Sequence, residues 1–409
     1  MAKPEGSDND NRLNLWFNYT FVLFAFAVPW SRSIISVSSL LLFILWIAEA
    51  NFRQKFHKIF SQRVMVSLIL FTGYMLLTLL WTNNYSKAFL NLKDLFFLII
   101  PVLGYTSLQK KYLPYTLMAY TAGMILDVTL SYLIFLNIIH IENVLPENPR
   151  VFMIHLDYSM ILAFFIFFAL LASLHKEMPL HKFKKYYLPM AVLTAIMLFI
   201  VQGRSGQVAF FVTSFFMIAI IALERKKYTL LIAAPVLIIF IFAAAFTLSP
   251  NFKNRMLNSY YSLKQSLSGN YSSSWGQRIA ANKISWDLFM DNFWLGTGAG
   301  DNIDQFTEKM NNPKFADIKE LMPVFQKTHQ HNQYLQTATL GGIIALVLLL
   351  NIFFQLASVR HKEIWSRNLI YITIIVFLTG FIGEPFLAKQ FTAALFALAV
   401  TIGTQNLHS

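Results

Sequence analysis

The chain of 409 residues contains no cysteine. A disulfide framework and a cysteine-ligated metal site are therefore both excluded. Charge is scarce as well: Asp, Glu, Lys and Arg make up 13% of the sequence, about half the share found in a soluble domain. No P-loop, zinc motif, Gly-x-Ser-x-Gly elbow or Ser-His-Asp order stands out. There is no internal repeat and no inverted pair of interrupted helices, which argues against a repeat-built transporter.

What is present is apolar. Hydrophobic residues make up 56% of the chain and Phe alone occurs 40 times, with a mean hydropathy of +0.53. This composition is that of an integral membrane protein. The net charge of +13 does not point to nucleic acid, because the excess lies in short loops between apolar runs, where it fixes orientation. The first run has no small-residue cleavage site and is expected to be a retained span.

The sequence predicts an all-α fold of twelve spans. They are placed near Leu15–Trp30, Ile34–Ala48, Val64–Leu80, Ala88–Tyr105, Leu117–Ile139, Tyr158–Leu174, Leu188–Val201, Gln207–Leu223, Thr229–Leu248, Tyr334–Leu356, Leu369–Ile382 and Phe391–Thr404. Three regions follow: residues 1–248 with nine spans, a polar segment 249–333, and residues 334–409 with three spans. The tail Met1–Asn14 is expected to fray. Alternate short loops hold clustered lysines and arginines, such as Arg53, Lys55, Lys58 and Arg63, or Lys182, Lys184 and Lys185. The other loops hold only Arg32, Lys87, Arg150, Arg204 and Lys389. This bias puts both termini in the cytoplasm and the segment 249–333 outside.

The candidate chemistry lies on that outer side. Gln277–Asn292 reads as an amphipathic helix with Ile279, Ile284, Leu288 and Phe289 on one face and Trp286 alongside. Residues Ser272–Ser274 supply N-caps. It stops before Gly296, Gly298 and Gly300, which read as a turn rather than a phosphate loop, since no strand precedes and no lysine follows. His331, beside Asn332 and two residues after His329, falls at the start of a span, where the helix terminus favours a neutral ring able to accept a proton. A His-x-His pair suggests metal, but further ligands at helical spacing are missing, so none is expected.

Arg204 sits in the outer turn Gln202-Gly203-Arg204-Ser205-Gly206. Its planar fork suits a phosphate, and the flanking glycines would let a bulky group approach the backbone. The bland alternative is an arginine snorkelling to headgroups. Arg278 opens the amphipathic helix, where an exposed surface arginine is equally in keeping. Lys93 and Asp94 lie inside the fourth span and are functional candidates by that placement. Glu384, Lys389, Asp157 and His155 are expected to be mostly solvated, the alternative being that they line a cleft. A neutral histidine with outward arginines and no metal set fits group transfer from a donor with a phosphate leaving group, carried on a lipid because ATP is absent outside.

Three stretches resemble the O-antigen ligase and polymerase family: the turn around Arg204; Trp275-Gly276-Gln277-Arg278-Ile279 followed by the glycine turn 296–300; and His331-Asn332 with Gly342. Ala345 departs from that last motif, at a packing position. The resemblance implies a GT-C-like, metal- and cofactor-independent, inverting glycosyltransferase of the bacterial inner membrane. Its donor would be a glycan on undecaprenyl pyrophosphate and its acceptor lipid A-core. By carry-over His331 is the base, and Arg204 and Arg278 hold the pyrophosphate. Lys93, Asn332, His329 and Gln277 are supporting candidates, Lys93 from its placement alone. A polymerase shares donor and chemistry and differs only in acceptor; a protein-glycosylating ligase fits less well. A lipid-glycan transporter would need charges along a central path, whereas here they gather at the outer edge.

Overall fold

The structure, a computed structural model, describes residues 6–321, 330–405 and 407. It contains no β-strand among them. The helices are α1 (Gly6–Ala27), α2 (Arg32–Ala48), α3 (Phe52–Ser61), α4 (Arg63–Leu77), α5 (Tyr85–Leu92), α6 (Ile100–Ser107), α7 (Leu113–Phe135), α8 (His155–Leu174) and α9 (Lys184–Ile200). They continue with α10 (Arg204–Glu224), α11 (Thr229–Leu248), α12 (Pro250–Leu267), α13 (Ser274–Asp291), α14 (Asn302–Met310), α15 (Ala316–Leu321), α16 (Gln333–Ser358), α17 (Ile364–Gly380) and α18 (Gln390–Thr404).

Each of the twelve apolar runs is helical, but fewer qualify as spans. Among the described residues, eight segments are long and apolar enough to cross a membrane: Arg63–Trp81, Tyr85–Ser107, Lys110–Phe135, His155–Leu174, His181–Ile200, Arg204–Glu224, Thr229–Leu248 and Gln333–Ser358. A ninth arises only if α2 and α3, bent by 115° at their junction, count as one. The difference has plain causes. Helices α2, α17 and α18 run for 17, 17 and 15 residues, at or below the lower limit for a span. Helix α1 spends its first turns on Gly-Ser-Asp-Asn-Asp-Asn-Arg.

Of the tail expected to fray, residues 1–5 lie outside the described residues, whereas from Gly6 it is helical as the start of α1 and Asn14 is tied down. Its amide donates to Glu49 Oε1 at 2.6 Å and to the Ser107 carbonyl at 2.9 Å. Glu49 is in turn paired with the buried Lys55 at 3.0 Å. This knot lies at the end of the bundle that carries the lysine-rich connections. The same end holds the Arg367–Glu224 pair, 2.6 Å apart.

Helix α8 forms the axis of the bundle, with 83% of its apolar window buried against 6% for α11 at the periphery. Helix α10 packs closely on α8 near the opposite end. A Cβ on Gly203 would meet Ser159 Cβ at 2.2 Å, and one on Gly206 would meet the Ser159 carbonyl oxygen at 2.1 Å. The Gly206 amide donates to Ser159 Oγ at 3.2 Å. The glycines flanking Arg204 therefore admit a neighbouring helix, not a ligand, because α8 fills the space they leave.

Above that end sits a helical cap built from α12 to α15, with its own small core of Tyr271, Ala280, Ala281, Ile284, Leu288, Phe306, Phe315 and Ile318. Helix α13 follows the sequence pattern. Ser273 caps it by accepting from the Gly276 amide at 3.1 Å, and Ile284, Leu288 and Phe289 are buried. Trp286, however, is 57% exposed.

The cap is clamped to the bundle through glycines. Helix α16 breaks at Gly341 and Gly342, the latter at φ +67° and ψ −166°, a region open essentially to glycine alone. The turn after α13 fills the break. Thr297 N donates to the Thr339 carbonyl at 2.8 Å, Gly298 N to Leu340 at 3.1 Å, and Ile343 N to Phe293 at 2.7 Å. Backbone groups freed by the kink are thereby satisfied from another segment, as burial requires. The far side of the turn is held too: Asp301 accepts from the amides of Asn83 and Asn84, each at 2.9 Å.

Candidate functional site

The centre is built on the start of α16. Asn332 is its N-cap, with extended backbone and a side chain accepting from Leu335 N at 3.1 Å. His331, just before the cap, has φ +51°, a left-handed conformation that costs a non-glycine residue about 1–3 kcal/mol unless its surroundings impose it. Here they do. Gln330 is fully buried; its backbone N–H donates to Gln336 Oε1 at 3.1 Å and its side-chain Oε1 accepts from Thr339 Oγ1 at 2.6 Å. Asn332 therefore positions His331. Asn332→Ala should cost about 1 kcal/mol of stability, read as a lower thermal midpoint in detergent, with a larger loss of activity than that destabilisation explains.

The turn between α17 and α18 is tied to the same point. Gln333 N donates to the Phe381 carbonyl at 2.9 Å, and Gln333 Oε1 accepts from Leu387 N at 2.8 Å. This fixes Glu384 beneath His331. The expectation of a solvated Glu384 is overturned, since its side chain is 0% exposed. Its Oε1 accepts from His331 Nδ1 at 2.9 Å and from Arg278 Nη2 at 2.8 Å, and its Oε2 accepts from Lys389 Nζ at 2.8 Å. Lys389 also lies 3.6 Å from Asp157, which is buried as well, so neither of these is solvated.

Burial alone would raise the Glu384 carboxyl. The His331 hydrogen bond and the charges of Lys389, His331 and Arg278 outweigh it and hold the group well below the carboxylate range. Glu384 is thus a permanent anion at working pH. Its contribution to stability is present above its ordinary value of 4.5 and is lost as pH falls below it.

An ionised carboxylate only accepts hydrogen bonds, so His331 Nδ1 carries the proton and, in the neutral ring, Nε2 is the basic nitrogen. The tautomer is set by Glu384 rather than by the helix terminus.

Arg278 is consequently not a free surface arginine but an ion-paired residue at the foot of α13. Arg204, the first residue of α10, makes no ion pair among the described residues, and its Nε is buried without a hydrogen-bond partner. Arg255 joins it from α12, bonded to Gln202 Oε1, with burial pushing its guanidinium below the usual value. Arg255 and Arg278 are close enough to repel Arg204. Arg204, Arg255, Arg278 and Lys389 thus converge on a region whose carboxylates are Glu384 and Asp157. A guanidinium whose Nε is buried without a partner is costly, and an arrangement with cations in excess is relieved by an anion. Among the described residues no group of His, Asp and Glu has the makings of a metal site.

The other sequence candidates lie differently. Gln277 donates to the Ser272 carbonyl at 3.3 Å, back along its own segment. Lys93 lines a separate apolar groove of about 860 Å³ together with Asp94 and Gln390. His329 lies outside the described residues. Sequence reasoning passed over Arg255 and misjudged Glu384. The one visible hint for Glu384 was an acidic residue in a short turn between two spans, next to Pro385.

Residues 189–350 match the family model described as O-antigen ligase. That segment holds Arg204, Arg255, Arg278, His331 and both sides of the glycine clamp, whereas Glu384 and Lys389 lie beyond it. No curated protein matches the chain.

Proposed function

We propose that this chain, whose residues 189–350 match the O-antigen ligase family model, transfers a glycan from undecaprenyl pyrophosphate to a hydroxyl of lipid A-core. The reaction would take place at the periplasmic face of the inner membrane, with both termini cytoplasmic and twelve membrane-embedded helices in a GT-C-like arrangement. His331 Nε2 takes the proton of the acceptor hydroxyl. The oxygen attacks the anomeric carbon from the side opposite the diphosphate, a new glycosidic bond forms, and the old C–O bond breaks with its electron pair passing to the leaving oxygen. Inversion follows from that geometry. Arg204 and Arg278, with Arg255 behind them, stabilise the departing anion. Glu384 holds the His331 ring in the required tautomer and balances the imidazolium that forms, as a carboxylate does in other His-dependent transfers.

The observation that carries this reading is the meeting of His331 and Arg278 on one buried carboxylate, beside an arginine whose Nε has no partner. The test incubates purified protein with lipid-linked glycan and either lipid A-core or a second lipid-linked glycan. Growth of the lipid A-core band is expected. Growth of only the second lipid-linked glycan would make the enzyme a polymerase, and growth of neither would sink both. Arg204→Ala should raise the donor KM about tenfold or more, because a charge-assisted contact contributes 1.5–3 kcal/mol or so. Arg204→Lys should recover little of that, because the bidentate fork is lost. Donor kinetics unchanged in both variants would remove Arg204 from the donor site.

A further inference from the structure

Beyond Arg278 the outer face of α13 runs into a cleft that the chemistry above leaves unused. Ile279, Asn282, Lys283 and Trp286 are spaced i, i+3, i+4, i+7 and so share one face of the helix. Facing Lys314 and Leu335, they line a cavity of about 540 Å³. Leu335, four residues after His331, brings the first turn of α16 to its edge. Asn282 and Trp286 stand one and two turns beyond Arg278, about 6 and 12 Å along the axis at 1.5 Å per residue.

Three features define what the cleft takes. Trp286 keeps a flat apolar ring in water, although Tyr271, Phe306 and Phe315 of the same cap are buried. The side-chain oxygen of Asn282 is buried and accepts no hydrogen bond, a costly state that a ligand donor would relieve. The charges around it are already committed. Asp287 holds Lys309 at 2.6 Å and also holds Lys314, while Lys283 donates to the Tyr271 hydroxyl at 2.6 Å and lies over its ring. A cleft whose carboxylate is ion-paired and whose Lys283 is engaged by a tyrosine, with an orphan acceptor and an exposed aromatic face, suits a ligand with hydroxyl donors on its rim and C–H groups on its face. A pyranose has that form.

We infer that this cleft is a saccharide-binding subsite, which holds the sugar rings next to the reacting one by stacking on Trp286 and by a sugar hydroxyl donating to Asn282 Oδ1. The inference rests on the reading of Arg278 as a marker of the reaction centre. Donor and acceptor both carry pyranose rings, and the experiment separates them.

The full chain in lipid nanodiscs is mixed with free oligosaccharide released from the donor glycan, or with free core oligosaccharide, and contact is read by saturation-transfer NMR. One of the two should receive saturation. Trp286→Ala and Asn282→Ala should weaken its binding about tenfold each, the size expected for an aromatic anchor or a buried polar contact, while Trp286→Phe retains most of it. In transfer assays the same variants should raise the KM of the matching substrate with kcat unchanged. Wild-type protein that gives no saturation transfer to either oligosaccharide, or variants that bind like wild type, would overturn the subsite even where transfer itself proceeds. Saturation transfer that depends on Trp286, in a protein that extends neither acceptor, would uphold the subsite and overturn the ligase reading alone.

Discussion

Replacing His331 by alanine should lower the transfer rate by about two to four orders of magnitude, with little change in donor binding. The expectation follows from position. His331 is the one described histidine that the structure sets on a buried carboxylate and beside an arginine bound to that same carboxylate, so it has both an orienting partner and an anion site close by. Glu384 variants separate its two roles. Glu384→Gln keeps an acceptor for Nδ1 but removes the charge, so the tautomer survives while the imidazolium loses its counter-ion. Turnover should fall by an intermediate factor, on the order of tenfold to a hundredfold, since a nearby opposite charge commonly shifts a protonation equilibrium by about 1–3 pKa units. Glu384→Ala leaves Arg278 and Lys389 without their shared partner, and unbalanced buried charge costs about 3–5 kcal/mol. It should therefore unfold at a markedly lower temperature. Single-turnover rates on folded protein, checked by thermal melting, distinguish these cases. A His331→Ala protein that inserts, melts like wild type and still transfers glycan at full rate would leave the site without its base.

Periodicity made the helices legible, and the single buried face of α13 emerged from it together with its Ser273 cap. Arg204, Arg278 and His331 were legible because each stands in a short polar motif at the edge of an apolar run. What the sequence hid was pairing over distance. Arg278 and Glu384 are 106 residues apart and His331 and Glu384 are 53 apart, and no local pattern signals that a glutamate between two spans turns inward. Arg255 was hidden for a related reason: on α12 it reads as one more basic residue of an amphipathic helix, and only the docking of that helix over Gln202 brings it to Arg204. The glycines around Arg204 were visible but misread, since a glycine shows that something comes close without saying what. There it is α8. Fewer than twelve of the described runs meet the length and composition of a span for a simpler reason, because a polar first turn or a run of about 15 residues forms a helix that is at or short of the usual span length.

Gly342→Ala should be the most damaging substitution for folding. At φ +67° and ψ −166° the backbone is in a region that costs an alanine about 1–3 kcal/mol on its own. The added Cβ would also lie 2.1 Å from the Trp294 carbonyl oxygen and 2.6 Å from Leu295 N. Both are backbone atoms in the turn that the kink receives, so neither rotates away. Relief requires the turn to withdraw, and the bonds from Thr297, Gly298 and Ile343 go with it. The cap would then part from α16, and with it Arg278 from Glu384 and His331. Loss of several kcal/mol and of nearly all transfer activity is expected, since clash and broken hydrogen bonds add to the backbone strain. Gly269→Ala is the control. Gly269 also has a positive φ, +89°, but nothing lies within 4 Å of the Cβ it would gain, so it carries the strain without the clash and should lose about 1–2 kcal/mol. The comparison needs only melting curves and transfer assays of the two variants side by side. Equal, small effects would mean that the glycine turn and the kinked helix do not hold the cap on the bundle, and that the meeting of Arg278 with His331 is secured by some other contact.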